Sequence, residues 1–356
     1  MAAILAVPFF AQAPPSPDVL ILTDGEKLMG QFVKATGGSL SFKSAALGVV
    51  TVDWSEVKEL QSTQRVAVIP KNVTLRLPRD AAKATRGTVS MADRRLQISG
   101  AQPVPLADVG NVVDDSEFQK ALEHKDGLLH DWKGALTGGA ALVEATQDTR
   151  TFNGSVNLMK QEPADDWLVP RDRTSVNFNA VYGKQTQPGT PEAITSIYHA
   201  DGERDEYFNP RWFGFGRVAF DHNFGQGLHL EQDYGGGVGW IALKNGNEEL
   251  DVKGSGSYIR QGLNGLPANN LAGATAAETF NRKLAHGMIV DEQLSFVGAL
   301  NKPSAYSTQG GIRLTMPVYR RLSFTTGTED SFLNDPPPGF RKNSFQFTAG
   351  ATYTLK

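Results

Sequence analysis

Residues 334–356 read NDPPPGFRKNSFQFTAGATYTLK, and their pattern decides the fold. From Asn343 onward the odd positions Phe345, Phe347, Ala349, Ala351, Tyr353 and Leu355 are apolar. The even positions are Ser344, Gln346, Thr348, Gly350, Thr352 and Thr354. A period of two is that of a β-strand with one apolar face. Pro336 to Pro338 cannot donate to a sheet ladder, and proline disfavours helix in the residue before it. The proline run therefore reads as a hard turn that launches the last strand.

The same alternation recurs upstream. Val176, Phe178, Ala180 and Tyr182 carry it, as do Ile312, Leu314, Met316 and Val318. Leu250, Val252, Gly254, Gly256 and Tyr258 repeat it, and so do Phe152, Gly154, Val156 and Leu158. About twelve segments follow: 134–144, 151–160, 173–186, 194–208, 211–223, 227–243, 248–261, 280–291, 292–301, 305–318, 321–333 and 343–355. Two architectures bury one face of twelve such strands. A soluble sandwich turns the apolar face inward, whereas a transmembrane barrel turns it to lipid and fills its lumen with polar residues. Segment lengths meet the roughly 9–11 residues a tilted strand needs to cross a bilayer. The non-apolar face is rich in Thr, Ser, Asn, Gln and Gly rather than the Lys and Glu of a soluble surface. Aromatics cluster near segment ends, with Tyr207, Phe208 and Trp212 around Asn209-Pro210 reading as an interfacial girdle. Closure would also remove the exposed sheet edges. The expectation is an all-β chain whose C-terminal part, 134–356, is an antiparallel transmembrane β-barrel of about 12 strands.

Composition agrees with a turn-rich β protein: 40% of the 356 residues are hydrophobic, with 37 Gly and 19 Pro. A formal net charge of −3 without a basic block gives no sign of nucleic-acid binding. The absence of cysteine excludes disulfides, thiolate metal sites and a cysteine nucleophile. The opening MAAILAVPFFAQAPPSP reads as a signal peptide over 1–13, with Ala11-Gln12-Ala13 as an A-x-A cleavage site. It lacks a positive n-region, as if its true start lay upstream. No other window holds the roughly 18 apolar residues of a membrane helix.

Between these parts lie two short β-rich stretches, 18–61 and 72–113, each with the tight turns of a small SH3-like or Sm-like module. VDWSEVKEL (52–60) lines up with VPLADVGNV (104–112) in its apolar positions, so the two read as an internal repeat of stacked or fused modules. Residues 115–126, DSEFQKALEHKD, give the one helical signal. Ser116 with Gln119 forms a capping box, and Phe118, Ala121 and Leu122 share a face. This reads as a linker helix.

On these residues the C-terminal part resembles the family of salt-induced outer-membrane proteins, a β-barrel family known as a domain of unknown function. TTGTEDSFLNDPPPGFRKNSFQFTAGATYTL (325–355) is similar to that family's final hairpin. GALTGGAALVEATQDTRTFNGSVNL (134–158) resembles its first hairpin, and YGGGVGWIAL (234–243) its Gly-rich central strand. The resemblance implies an outer-membrane barrel preceded by periplasmic Sm-like modules, with no established ligand or reaction. Its implied partners are outer-membrane lipid and the barrel assembly machinery. One departure is the terminal Lys356, where outer-membrane barrels usually end on an aromatic residue.

Candidate chemistry is sparse. The six histidines stand in no metal-binding spacing. His222 and His229 straddle a turn and could approach each other, with Asp221 or Glu231 completing a cation site. If Ile194, Ser196, Tyr198 and Ala200 face lipid, then His199, Asp201, Glu203 and Asp205 face the lumen. Two strands on, His229, Glu231 and Asp233 join them. This acidic wall would bias a pore towards cations, or it would form a salt-bridge network with Arg204, Arg217 and Arg260 that fills the barrel. The Gly runs 235–237 and 254–256 lack the helix and Lys-Ser/Thr of a phosphate loop and read as close strand packing. No Gly-x-Ser-x-Gly elbow occurs, and Ser196 or Ser257 beside His199 would be the only hydrolase candidates. No catalytic, cofactor or metal site is expected. The leading expectation is a non-enzymatic outer-membrane barrel acting as a narrow pore or envelope component, linked to salt or osmotic stress through the resemblance. The alternative is a scaffold whose N-terminal modules bind a periplasmic protein or peptidoglycan.

Overall fold

The computed structural model describes residues 17–355, apart from residues 77, 124–129, 144–147, 164 and 166. The expected signal segment and Lys356 lie outside the described residues. The chain divides into two compact units, 1–125 with 165–169, and 126–164 with 170–356.

The first unit holds nine strands: β1 (Asp18–Leu22), β2 (Lys27–Thr36), β3 (Ser39–Ser44), β4 (Gly48–Asp53), β5 (Val57–Pro70), β6 (Thr85–Ala92), β7 (Arg95–Ile98), β8 (Val104–Pro105) and β9 (Val109–Asp114). The repeat seen in the sequence is a repeat of structure. In the first copy β1 pairs with β2, β2 with β3, β3 with β4, and a 3₁₀ turn at Trp54–Glu56 leads into the first half of β5, which returns to β1. In the second, the latter half of β5 pairs with β6, β6 with β7, β7 with β8, and a 3₁₀ turn at Leu106–Asp108 leads into β9, which returns to β5. The contacts between copies are reciprocal as well: Ala35 of β2 faces Val112 of β9, and Leu60 of β5 faces Met91 of β6. Strands β1, β2, β9 and β5 thereby close a small ring.

The two stretches, expected as stacked or fused modules, share one sheet and one core. The reason is β5, a continuous 14-residue strand that ends one copy and begins the next. Leu20, Phe42 and Leu60 from the first copy and Val66, Leu96 and Val112 from the second are buried together, each large apolar side chain stabilising by about 1.5–3 kcal/mol. One buried carboxylate ties the first copy together. Asp18 accepts hydrogen bonds from the backbone N–H of Phe32 (2.8 Å) and Thr63 (3.0 Å) and from Gln64 Nε2 (2.8 Å).

The helix α1 (Asp115–Glu123) follows. Its expected apolar face is correct: Phe118 and Leu122 are buried with Ile69, Leu75, Val113 and Leu168. The cap differs from expectation. Asp114, one residue earlier, accepts from the N–H groups of Ser116 (2.9 Å) and Glu117 (3.2 Å) and from the Ser116 hydroxyl. A carboxylate there also complements the positive helix end.

The second unit is a closed barrel of twelve strands: β10 (Lys133–Val143), β11 (Asp148–Glu162), β12 (Asp172–Thr186), β13 (Ala193–Tyr207), β14 (Trp212–Asn223), β15 (Leu228–Lys244), β16 (Glu248–Leu263), β17 (Asn269–Lys283), β18 (Ile289–Ala299), β19 (Tyr306–Tyr319), β20 (Leu322–Leu333) and β21 (Asn343–Thr354). Each pairs antiparallel with its neighbours in the chain, and β21 closes on β10. The closing register covers only Ala135–Gly138 against Ala351–Thr354, against ten or more pairs at every other seam of the barrel. Inward threonines reinforce it. Thr137 and Thr352 hydroxyl oxygens lie 2.8 Å apart, Thr352 and Thr325 2.6 Å, and Thr325 and Thr315 3.3 Å, a ladder across four strands.

The apolar face points outward. Phe152, Val176, Phe178, Tyr258, Leu294, Phe296, Ile312, Phe345 and Phe347 are exposed on the barrel's outer surface. The shortest of the twelve described barrel strands have 11 residues, enough to cross a hydrocarbon core. Two expectations change. The eighth strand, expected at 280–291, is β17 at Asn269–Lys283, because the Ala-, Gly- and Thr-rich run 271–277 has little strand propensity of its own. Tyr207 is not part of an outer girdle: it is 2% exposed and points inward, whereas Phe208 and Trp212 lie outside. Trp212 stacks on Trp240 with ring centroids 6.0 Å apart.

Candidate functional site

The barrel has a proximal end, where β10 begins and β21 finishes, and a distal end. Its lumen is polar at mid-height and carries an apolar cluster near each end. At the proximal end Tyr207, Phe213 and Ile241 are buried together with Phe215 against them. They need glycine opposite: a Cβ at Gly239 would overlap the Phe213 ring. Gly239 and Gly237 stand opposite Phe213 and Phe215 in the β14–β15 register, which gives the Gly-rich strand its role as a floor for inward aromatics.

At the distal end Leu228, Leu263 and Leu333 are buried together. There the 3₁₀ turn Phe224–Gln226 reaches strands six places away around the ring. Gln226 Nε2 donates to the backbone carbonyls of Ser331 (2.9 Å) and Lys342 (2.7 Å). The Gly227 backbone, at φ +68°, lies against Phe340 and Pro337 of the proline loop, where any Cβ would crowd both rings. The 334–342 turn is therefore half of a bridge across the barrel as well as the start of β21.

Between the two ends the wall formed by β12–β16 is charged. Arg173 Nε donates to Asp205 Oδ2 (2.7 Å) and its Nη2 to Asp251 Oδ2 (2.8 Å), with Glu249 at 3.4 Å. Two residues further along each strand, Lys253 pairs with Glu203 and lies 5.5 Å from the Phe215 ring centroid. Beyond that, His199 bridges Asp201 (2.9 Å) and Asp221 (2.7 Å), and Asn177 Nδ2 donates to Asp201. Arg217 lies within electrostatic reach of Asp201 and Asp233. Glu231 accepts from Gln261 Nε2 at 2.8 Å. The facing wall, β17–β19, is mostly uncharged, with Thr275, Thr279, Gln293, Ser295 and Gln309, and Glu278 beside them, around a cavity of about 250 Å³.

Of the seven expected lumen residues, His199, Asp201, Glu203, Asp205, Glu231 and Asp233 belong to this wall. His229 does not. A bulge between Leu228 and Leu230 shifts the alternation, leaving His229 exposed. Its ring lies 6.4 Å from that of His222, which stacks on the outward Tyr198. Their expected partners Asp221 and Glu231 are on the opposite face, and among the described residues no group of three or more metal ligands occurs. Of the expected cations, Arg217 lines the lumen, but Arg204 is exposed and pairs with Glu206 and Asp172, and Arg260 is exposed too. Arg173 and Lys253 take their place. Their parity announced it, since each sits between outward residues: Thr174 and Val176 follow one, Val252 and Gly254 flank the other. Ser196 faces away from His199, and both His199 nitrogens are engaged by carboxylates, so no serine can use that ring as a base.

The family described as "Protein of unknown function, DUF481" matches residues 137–355, which is most of the barrel. The chain belongs to this family. No curated protein matches it. Among solved structures, the translocator domain of autotransporter NalP from Neisseria meningitidis superposes with a TM-score of 0.35 at 8% identity, covering 62% of this chain and 87% of that one. The β domain of the Bordetella autotransporter BrkA does so with a TM-score of 0.31 at 11% identity, covering 63% and 98%. Superpositions this loose carry no information on function.

Proposed function

We propose that this DUF481 chain is a non-enzymatic barrel of a bacterial outer membrane that works as a narrow, cation-preferring pore. The observation that carries the reading is the lumen wall: carboxylates of β13, β15 and β16 outnumber Arg173, Arg217 and Lys253, and fixed negative charge in a confined passage favours cations. The apolar outer face and polar interior support the membrane setting. The Gln226 bridge and the Tyr207–Phe213–Ile241 cluster narrow the two ends, which supports a small conductance. A link to salt or osmotic stress, periplasmic N-terminal repeats and delivery by the barrel assembly machinery belong to the same proposal.

Planar-bilayer recording of the folded full-length chain tests it. The expected result is a small conductance whose reversal potential in a KCl gradient reports cation preference. Asp201→Asn with Glu231→Gln should weaken that preference, and Gln226→Ala should raise the conductance. A heat-modifiable, correctly inserted barrel that never conducts, with or without Gln226, would overturn the pore.

A further inference from the structure

We infer that the mid-lumen cavity is a binding site for a small organic cation carrying N–H donors, a primary ammonium compound. The inference deepens the proposed pore by naming its solute class, and it rests on reading the lumen as a solute compartment. Three observations converge on it.

The first is an imbalance of charge. Around the Arg173 end of the cavity, one guanidinium serves Asp205, Asp251 and Glu249. Lys253 is spent on Glu203, and Arg217 faces both Asp201 and Asp233. Seven carboxylates, Asp201, Glu203, Asp205, Asp221, Asp233, Glu249 and Asp251, thus meet three fixed cations and the His199 ring, both of whose nitrogens lie on carboxylates. The second is an excess of acceptors. Arg173 occupies only Oδ2 of Asp251, and Asp251 Oδ1 has no hydrogen-bond partner although the residue is only 3% exposed. Across the cavity, on the facing wall, Thr275 Oγ1 also has no partner, in a residue 9% exposed. Both residues line the same space. A buried acceptor without a donor is costly; Asp251 Oδ1 is one, the Thr275 hydroxyl can accept as well as donate, and a donating guest would satisfy both. The third is size: at about 250 Å³ the space is several times the roughly 30 Å³ share of one water molecule, which suits a short alkylammonium. An anion would meet the surplus carboxylates, and a cation without N–H groups would leave Asp251 Oδ1 and Thr275 Oγ1 unpaired.

The site is tested by titration calorimetry of the folded full-length barrel in detergent micelles, with butylammonium chloride as the probe. Tetramethylammonium matches its charge without donors, and sodium butyrate reverses the charge. Saturable binding of butylammonium is expected, at least tenfold tighter than tetramethylammonium, with none for butyrate. Asp251→Asn should weaken it tenfold or more. Asp251 also holds Arg173, so Thr275→Val supplies a second variant that removes no existing hydrogen bond, and it should weaken binding several-fold. No saturable heat, equal binding of butyrate, or wild-type affinity in both variants would overturn the site. Binding without conductance would defeat the pore and leave the site standing, whereas conductance without binding would do the reverse.

Discussion

Arg173→Met removes the one cation shared by Asp205 and Asp251. The side-chain exposures are 14% for Arg173, 2% for Asp205 and 4% for Asp251, so both carboxylates would be left buried without their hydrogen-bonded cation, Asp205 keeping only the more distant Lys253. Removing one partner of a buried pair costs about 3–5 kcal/mol, mostly as the penalty of the charge left behind. Glu249 is 31% exposed and adds little, because water screens it. The guanidinium also lies 5.9 Å from the Tyr207 ring centroid and 5.4 Å from that of Phe213, contacts of about 0.5–1 kcal/mol each. Together these give about 4–7 kcal/mol, or roughly a thousandfold to a hundred-thousandfold in the folding equilibrium. The assay is urea unfolding of the barrel in lipid vesicles, followed by the shift between folded and unfolded bands on unheated gels. Arg173→Met should move the midpoint well below wild type. Adding Asp205→Asn and Asp251→Asn should restore most of it, since the buried charges are then gone. A single variant as stable as wild type, or a triple variant no better than the single, would refute the reasoning.

Asp18→Ala orphans the Phe32 and Thr63 N–H groups inside the N-terminal repeats. At about 1–3 kcal/mol per unsatisfied buried group, it should speed proteolysis within 18–114 in the full chain while the barrel's gel shift stays unchanged. Asp53 is held below the ordinary carboxylate range by the Ser55 hydroxyl and N–H, which favour its ionised form. The stabilisation is therefore present above the ordinary carboxylate pKa and is lost as pH falls through the lowered value. In an NMR titration, Ser55→Ala should raise the Asp53 midpoint, and an unmoved midpoint would contradict this. Gly239→Leu drives a side chain into the Phe213 ring. It should destabilise the barrel, and Phe213→Ala in the same chain should rescue it in the vesicle unfolding assay.

Much of the barrel was legible because parity is a strong signal wherever side chains are large. Phe345 to Leu355 and Val176 to Tyr182 place their own strands, and the twelve-strand count follows. Where side chains are small the signal fades, as in Leu271 to Ala277, and a strand was expected some ten residues late. Residue type misled where parity did not. Tyr207 shares the odd phase of His199 to Asp205 and points inward with them, although an aromatic at a strand end suggests a girdle. Arg204 and Arg260 hold outward phase, although charge suggests a lumen. His229 could not be placed by either rule, because the bulge between Leu228 and Leu230 shifts the phase there. The bridge from Gln226 to Ser331 and Lys342 joins residues more than a hundred positions apart. Only closure of the ring brings them together. The 334–342 loop accordingly does more than turn: it packs across the barrel end.

The central claim is that the apolar face of this barrel meets lipid. The chain contains no cysteine, so single cysteines placed in turn at 345 to 350 can each carry one fluorophore in the folded protein in vesicles. Quenching by lipids brominated along their acyl chains reads each position directly. The account predicts strong quenching at 345, 347 and 349 and weak quenching at 346, 348 and 350. Uniform quenching, or the opposite alternation, would contradict it.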